Sequence, residues 1–321
     1  MPSVRVALNL VLSPPAALLA ACCAGAAIAA QWGRVSLQLD VLAHFAPFWL
    51  LGSAVALTLG FLARGWARWS VVATGLIGVI AAGSLILPEF LRPTGPQASA
   101  NAPDQLKIVQ FNVWYANPDP EAILAWLDAE QPDIAVIEEN SPGFRQAVAA
   151  HRKWSVACGG CEVMVLSRKP ALYAAPALQI HPSTPLTHAQ FQDARGLFEV
   201  IGVHNAWPTD QDQPIQEARL AEAIAARRTD RLIVVGDFNS APWSFQRRRW
   251  DRIFGLVRRD RAIPSWPARA YMGLRWLGQP FLPIDHVYAG AGWATVSVRR
   301  GPRLSSDHYP LVIRLAPVAP R

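Results

Sequence analysis

The run Arg231-Leu-Ile-Val-Val-Gly-Asp-Phe-Asn239 decides the fold. Leu232 to Val235 is an unbroken apolar, largely β-branched stretch, as expected of a strand buried on both faces. The turn that ends it sets Asp237 and Asn239 two residues apart, the spacing that points two side chains the same way on extended backbone. A second cluster, Ser306-Asp-His308, leads directly into another strand-like run, Tyr309-Pro-Leu-Val-Ile-Arg-Leu315. A carboxylate beside an amide holds a hard cation or a water, and an Asp-His pair adds a ligand and an imidazole. Together they point to metal-assisted hydrolysis.

Working outward, Leu106-Lys-Ile-Val-Gln-Phe-Asn112 alternates as a first strand, and Pro120 to Glu130 carries Ile123, Leu124 and Leu127 at helical spacing. Pro132-Asp133 ends that helix, and Ile134 to Ile137 forms a strand running into Glu138-Glu139. Further strands are predicted at 163–166, 197–203, 232–235, 286–288, 294–298 and 311–315, with helices at 143–150, 215–227 and 244–254. This pattern predicts an α/β (α+β) four-layer sandwich, two mixed β-sheets between helical layers, over residues 104–321.

The N-terminal part differs in kind. Of 30 Lys/Arg and 23 Asp/Glu in the 321 residues, the first hundred hold only five and two. Three charge-free spans, Val6–Ala30, Val41–Ala63 and Ser70–Pro88, are each long enough to cross a hydrocarbon core of about 30 Å. Residues 1–91 are therefore expected to form a membrane anchor of three transmembrane helices, and the Pro- and Ala-rich 92–103 a linker. Arg5, Arg64 and Arg68 favour a cytoplasmic N-terminus and second loop, which puts 104–321 outside the cytoplasm, multi-pass in a cell inner membrane. The net charge of residues 101–321, +4 of the total +7, is too small to imply nucleic acid by itself. Cys158 and Cys161 read as a local disulfide or as two free thiols, one such pair being insufficient for zinc.

Candidate chemistry-bearing residues, in chain order, are Asn112, Glu139, His204, Asp237, Asn239, Asp285, Asp307 and His308, all at predicted strand ends. Magnesium, or manganese in its place, needs only one or two protein carboxylates, which Glu139 and Asp307 would supply. Asp237 with Asn239 would orient a water and take its proton. His308, backed by Asp285, would stabilise the charge that develops on a phosphate. Singly, each has an ordinary structural reading, Asp237 and Asn239 as turn residues and Glu138 as a solvated neighbour of Glu139.

The ordered set Ile108-Val-Gln-Phe-Asn112, Pro132-Asp-Ile-Ala-Val-Ile-Glu-Glu139, Gly202-Val-His204, Val235-Gly-Asp-Phe-Asn239, Ile284-Asp-His286 and Ser306-Asp-His308 resembles the endonuclease/exonuclease/phosphatase superfamily, with its deoxyribonuclease I-like fold, in a membrane-anchored form. The resemblance spans about residues 104–316. It implies Glu139 as main metal ligand assisted by Asn112, with Asp307 also near the metal. It implies Asp237 and Asn239 on water and phosphate, Asp285 supporting His308, and His204 as the other catalytic histidine. Arg195 is a candidate substrate-binding arginine, with Asn112. One departure is Glu138, where many relatives carry Gln.

The expected activity is divalent-metal-dependent hydrolysis of a phosphodiester in nucleic acid (DNA or RNA) or in phospholipid at a lipid bilayer. The alternative is a catalytically inactive membrane-tethered binding module of the same fold. No feature calls for an obligate protein partner. Trp243, Trp250, Trp266 and Trp276, mixed with Arg247, Arg248, Arg249, Arg258, Arg259 and Arg261, read either as a patch for phosphates and bases or headgroups, or as a helix with a solvated basic face and Trp250 in the core.

Overall fold

The computed structural model describes residues 2–158, 161–176, 185–269 and 279–318. The chain divides into two compact units, Met1–Arg92 with Ala241–Arg249, and Pro93–Ser240 with Trp250–Arg321.

The first unit holds α1 (Pro2–Ala30), a 3-10 turn (Gln31–Arg34), α2 (Leu37–His44), α3 (Ala46–Leu62) and α4 (Gly65–Leu91). Among the described residues two helical stretches, Ser13–Arg34 and Gly65–Leu91, are long and apolar enough to cross a membrane, and the count is three if the bent pair α2–α3 makes one span. The middle span expected at 41–63 is therefore not a single straight helix but bends by 62°. Pro47 fits the break: it lies in the first turn of α3, where it has no N–H to donate to the preceding turn, and the non-helical residue between the two helices is Phe45 (φ −94°, ψ 12°). Small residues let these helices approach closely; a Cβ added at Gly75 would lie 2.9 Å from the Leu57 nitrogen. The segment Ala241–Arg249 is held in this unit by polar contacts. Buried Asp40 accepts the backbone N–H groups of Phe245 (2.8 Å) and Gln246 (2.9 Å), and Trp243 Nε1 donates to the His44 carbonyl at 3.2 Å.

The second unit is a two-sheet sandwich. The first sheet contains β1 (Leu106–Asn112), β2 (Ile134–Glu138), β3 (Ser155–Cys158), β4 (Val163–Ser167), β11 (Trp293–Arg300) and β12 (Leu311–Pro317), in the order β11-β12-β1-β2-β4-β3. The second contains β5 (Tyr173–Pro176), β6 (Leu186–Asp193), β7 (Gly196–His204), β8 (Leu232–Asp237), β9 (Val257–Arg258) and β10 (Asp285–Ala289), in the order β5-β6-β7-β8-β10-β9. Each sheet is mixed, with β1 parallel to β2 and β7 parallel to β8 among antiparallel neighbours. Strand alternation sorts the side chains. Ile108, Val136, Val165, Val200, Ile233, Val235, Val287 and Ile313 meet between the sheets. Val109, Phe111 and Ala135 turn outward onto Ile123, Leu124 and Leu127 of α5 (Pro120–Glu130) and Phe144 and Val148 of α6 (Pro142–His151). On the far side Leu232 and Val234 bury Leu220, Ala223 and Ile224 of α7 (Asp212–Ala225). The helix predicted at 244–254 forms as α8 (Phe245–Ile253).

Strands β3, β5, β6 and β9 were not expected from the pattern. β6 carries Thr187 and His188 at buried positions, which hides its alternation, and each has a partner: Thr187 Oγ1 donates to the Val163 carbonyl (2.7 Å) and His188 Nε2 lies 2.6 Å from Glu199 Oε2. From Pro93 the chain belongs to the second unit, and Gln97 bridges to Thr295 of β11, whose N–H donates to the Pro96 carbonyl at 2.8 Å. Cys158 and Cys161 are disulfide-bonded.

Candidate active site

The inner faces of four strands end in polar residues at the same rim. β1 reads Ile108, Gln110, Asn112 at every second position; β2 reads Ile134, Val136, Glu138; β8 reads Ile233, Val235, Asp237. β10 runs the opposite way and so begins with Asp285, directly across from Asp237, while parallel β7 brings His204 level with Asp237. Two residues just past strand ends, Glu139 and Asn239, adopt left-handed backbone (φ +51° and +48°). Asn tolerates that conformation; for Glu it costs about 1 kcal/mol, strain of the kind found where a side chain must be aimed.

Asn112 Nδ2 links the two sheets, donating to Glu139 Oε1 (2.9 Å) and to Asp237 Oδ2 (3.1 Å). The same Asp237 oxygen lies 3.5 Å from His308 Nε2 and 3.9 Å from His204 Nε2. Its other oxygen accepts the Asn239 N–H at 2.8 Å, and Asn239 Nδ2 donates to the Asn205 carbonyl at 2.8 Å. His308 Nδ1 donates to Asp285 Oδ2 at 2.9 Å, and Asp285 Oδ1 accepts from Gln110 Nε2 at 2.6 Å. His204 sits between Glu162, 3.0 Å from its Nδ1, and Glu139, 3.5 Å from its Nε2. Ser306 Oγ donates to the Asn112 carbonyl (2.7 Å) and accepts the His308 N–H (3.0 Å), pinning the second acidic cluster to the end of β1.

Burial and charge set the protonation states. Burial pushes Asp237 up to about 6, against the pull of the His308 charge. For His308, burial works downward and the Asp285 and Asp237 carboxylates outweigh it, raising the imidazole to about 10. At neutral pH the group is an imidazolium between two carboxylates. Burial opposes protonation of His204 too, but its bond to Glu162 and the nearby Asp237 and Glu139 charges raise it. Glu138 is held well above the carboxylate range by burial first and by the Asp285 and Asp237 charges second, so it is a neutral acid.

A family model, Endonuclease/Exonuclease/phosphatase family, matches residues 109–308, from β1 to His308. The chain belongs to the endonuclease/exonuclease/phosphatase family. Enzymes of this family are hydrolases of phosphoester bonds that use divalent metal ions. Among solved structures, the chain is similar to the 3'-5' exonuclease NExo from Neisseria meningitidis (22% identity, 65% of this chain and 98% of that one, TM-score 0.52). It is also similar to D. rerio TDP2 complexed with single-strand DNA product (13%, 66% and 99%, TM-score 0.52) and to a conserved protein of unknown function from Enterococcus faecalis V583 (16%, 66% and 100%, TM-score 0.52). At these identities the likeness is one of fold. No curated protein matches the sequence significantly.

Within this family fold, Asn112, Glu139, His204, Asp237, Asn239, Asp285 and His308 converge through the contacts above. Asp307 adjoins them: its charge adds to the raising of His308, and its Oδ2 accepts Trp266 Nε1 at 3.3 Å. Arg195 is not brought in. It precedes β7 by one residue, whereas His204 ends that strand, about 30 Å further along at ~3.3 Å per residue. There its backbone N–H donates to Asp193 and its guanidinium to the Val318 carbonyl. Glu138 is not solvated either but fully buried, since strand alternation turns it inward with Ile134 and Val136 while Glu139 keeps 30% of its side chain exposed. The Trp and Arg run is no single patch: Trp243, Arg247, Arg258 and Arg259 are buried, Trp250 packs against the α7–β8 core, and Trp276 lies outside the described residues.

Sequence reasoning passed over Gln110, Glu162, Asn205 and Ser306 as site-holding residues, and an aromatic rim. Arg269 lies over the Trp114 ring (4.0 Å), and Trp207 meets Trp266 edge-on at 5.3 Å, with Tyr115 and Trp207 exposed. The polar position Gln110 on an inner face, among apolar neighbours, was the one legible signal.

The donor set fits a hard divalent cation. Asp307 Oδ1 and Asn239 Oδ1 are buried oxygens with no hydrogen-bond partner among the described residues, and Glu139 adds a carboxylate that keeps 30% of its side chain exposed. A different trio, Asp237, Asp285 and His308, has ligand atoms within 4.8 Å of one another. There His308 Nδ1 is already bonded to Asp285 Oδ2.

Proposed function

We propose that the protein is a membrane-anchored, divalent-cation-dependent phosphodiesterase that cleaves its ester by attack of water. The observation that carries this reading is the convergence of Asn112, Glu139, His204, Asp237, Asp285 and His308 from both sheets onto one rim. Residues 104–321 form the catalytic part, 1–91 the anchor and 92–103 the connection between them.

Glu139, Asn112 and Asp307 hold the cation, Mg2+ or in its place Mn2+. When bound, it neutralises the phosphate and stabilises the charge that grows on its oxygens. Asp237 takes the proton of the attacking water, which Asn239 orients. The His308 imidazolium donates from Nε2 to a phosphoryl oxygen as negative charge develops, while Asp285 fixes its orientation through Nδ1. Gln110 holds Asp285 in turn, its amide also donating to Glu138. His204, paired with Glu162, supplies the second cationic donor. The aromatic rim gives faces for bases or an amphipathic surface for headgroups, so the phosphodiester is that of a nucleic acid or a phospholipid.

The test is full-length protein in detergent, assayed with magnesium against single- and double-stranded DNA, RNA, sphingomyelin, phosphatidyl lipids and phosphomonoesters. Turnover on one class is expected, with Asp237→Asn and His308→Ala each lowering kcat by about 10²–10⁴-fold at unchanged thermal stability. Undiminished activity in both variants overturns the roles of Asp237 and His308. Absence of turnover on every substrate favours the inactive binding module.

A further inference from the structure

Away from the catalytic rim, the second unit has a cavity of about 270 Å³ lined by Thr94, Gln97, Arg259, Arg261, Thr295 and Ser297. By volume it has room for about nine waters at ~30 Å³ each. Its base is Arg259, only 3% exposed. Of the five guanidinium N–H groups, the two on Nη2 are engaged, donating to the carbonyls of Ala289 (3.1 Å) and Gly290 (2.7 Å). Nε and Nη1 are buried and have no hydrogen-bond partner among the described residues, and the same holds for Thr295 Oγ1.

The neighbouring arginine makes the contrast. Arg258 is paired with Asp251 (3.0 Å) and Asp260 (3.5 Å). Asp260 also lines the cavity, but its oxygens are already committed to His286 Nδ1 (2.8 Å) and the Val287 N–H (3.0 Å). Burial lowers Arg259 to about 10, so it remains a cation at neutral pH, and a buried cation without a counter-charge is costly. The segment above it is built for close approach. Gly95 has φ +81°, and a Cβ there would collide with Arg259 Nη1. Gln97 Nε2 meanwhile braces the Thr94 hydroxyl and the Gly95 carbonyl, both at 3.3 Å.

We propose that this cavity is a binding site for a phosphoryl group, separate from the catalytic centre. Three N–H groups on two nitrogens plus a hydroxyl require several acceptor oxygens spread in three dimensions, which a tetrahedral phosphate offers and a planar carboxylate does not. Two sources share this chemistry, free inorganic phosphate and a phospholipid headgroup. The second has a route: Thr94 follows Leu91, the last residue of the apolar helix α4, by three residues, at most about 11 Å of chain.

The experiment is thermal unfolding of the full-length protein in maltoside micelles with chelator present. One arm titrates inorganic phosphate; the other dopes short-chain phosphatidylglycerol into the micelles. Stabilisation is expected in the wild type and equally in His308→Ala, which separates the site from the catalytic rim. Arg259→Gln should weaken the response at least tenfold while matching or exceeding wild-type stability without ligand, because the unpaired charge is gone. Thr295→Val should weaken it about two- to tenfold and decides the matter if Arg259→Gln fails to fold. A response in the lipid arm assigns a headgroup site, and one confined to the phosphate arm assigns a soluble phosphate. No stabilisation of the wild type in either arm, or an equal response in both cavity variants, overturns the proposal.

Discussion

Asp237 is fully buried between two imidazoles, and that sets the pH at which the proposed chemistry runs. Its carboxyl is raised to about 6, so below that pH it carries a proton and cannot accept one from water. His308 stays charged up to about 10. The expected kcat/KM profile therefore rises with pH to a plateau, with its acidic limb at or below about 6, since a cation at Glu139 moves that limb lower, and its alkaline limb near 10. An acidic limb above 7 would contradict the assignment of Asp237 as base. Glu138 supports a second test. As a neutral acid its carboxyl is close in shape and charge to an amide, so Glu138→Gln is expected to keep activity within about twofold. Between the ordinary carboxylate value and its raised folded value, the native state holds a proton that the unfolded chain has released. Stability then falls as pH rises through that window. Chemical denaturation of Glu138→Gln should show a gain over wild type that grows from pH 5 to pH 7; a constant or shrinking difference would mean that Glu138 is ionised in the fold.

The strand is the element that made the site legible. Inner-face alternation carries Gln110 and Asn112, Glu138, Asp237 and Asp285 to one rim, and most of this follows from counting by twos along apolar runs already visible in the sequence. The same count would have turned Glu138 inward; reading it as a solvated neighbour of Glu139 overlooked that neighbours on a strand face opposite sides. β6 stayed hidden because its buried Thr187 and His188 look solvent-facing until their partners, Val163 and Glu199, are brought alongside by the fold. Arg195 sat in a loop whose direction no local pattern records. Helix α8 is a case in which propensity marked the element and a distant residue completed it. Asp40 accepts the N–H groups of Phe245 and Gln246, which the helix start leaves without intrahelical partners. Asp40→Ala is expected to cost about 0.5–2 kcal/mol, read as a lowered unfolding midpoint of the full-length protein in detergent. An unchanged midpoint would show that the cap is replaced by water.

At the scale of the whole molecule, the proposed orientation of the chain in a membrane rests on few charges and one covalent bond. Arg5 lies near the start of α1, and Arg64 and Arg68 lie in and just after the turn between α3 and α4, so in the proposed anchor the positive-inside rule expects those two places on the cytoplasmic side. Counting α2–α3 as one bent crossing gives three in all and carries the catalytic part to the opposite face, whereas counting only the two straight spans returns it to the cytoplasm. The Cys158–Cys161 disulfide lies in the catalytic part and favours the former, because such bonds persist in oxidising compartments. In a bacterial host, protease added to intact spheroplasts should remove the part beyond residue 92 without permeabilisation, and sealed inverted vesicles should protect it. Protection in spheroplasts with digestion in inverted vesicles would mean that the bent pair re-enters rather than crosses, and that the phosphodiester is met in the cytoplasm.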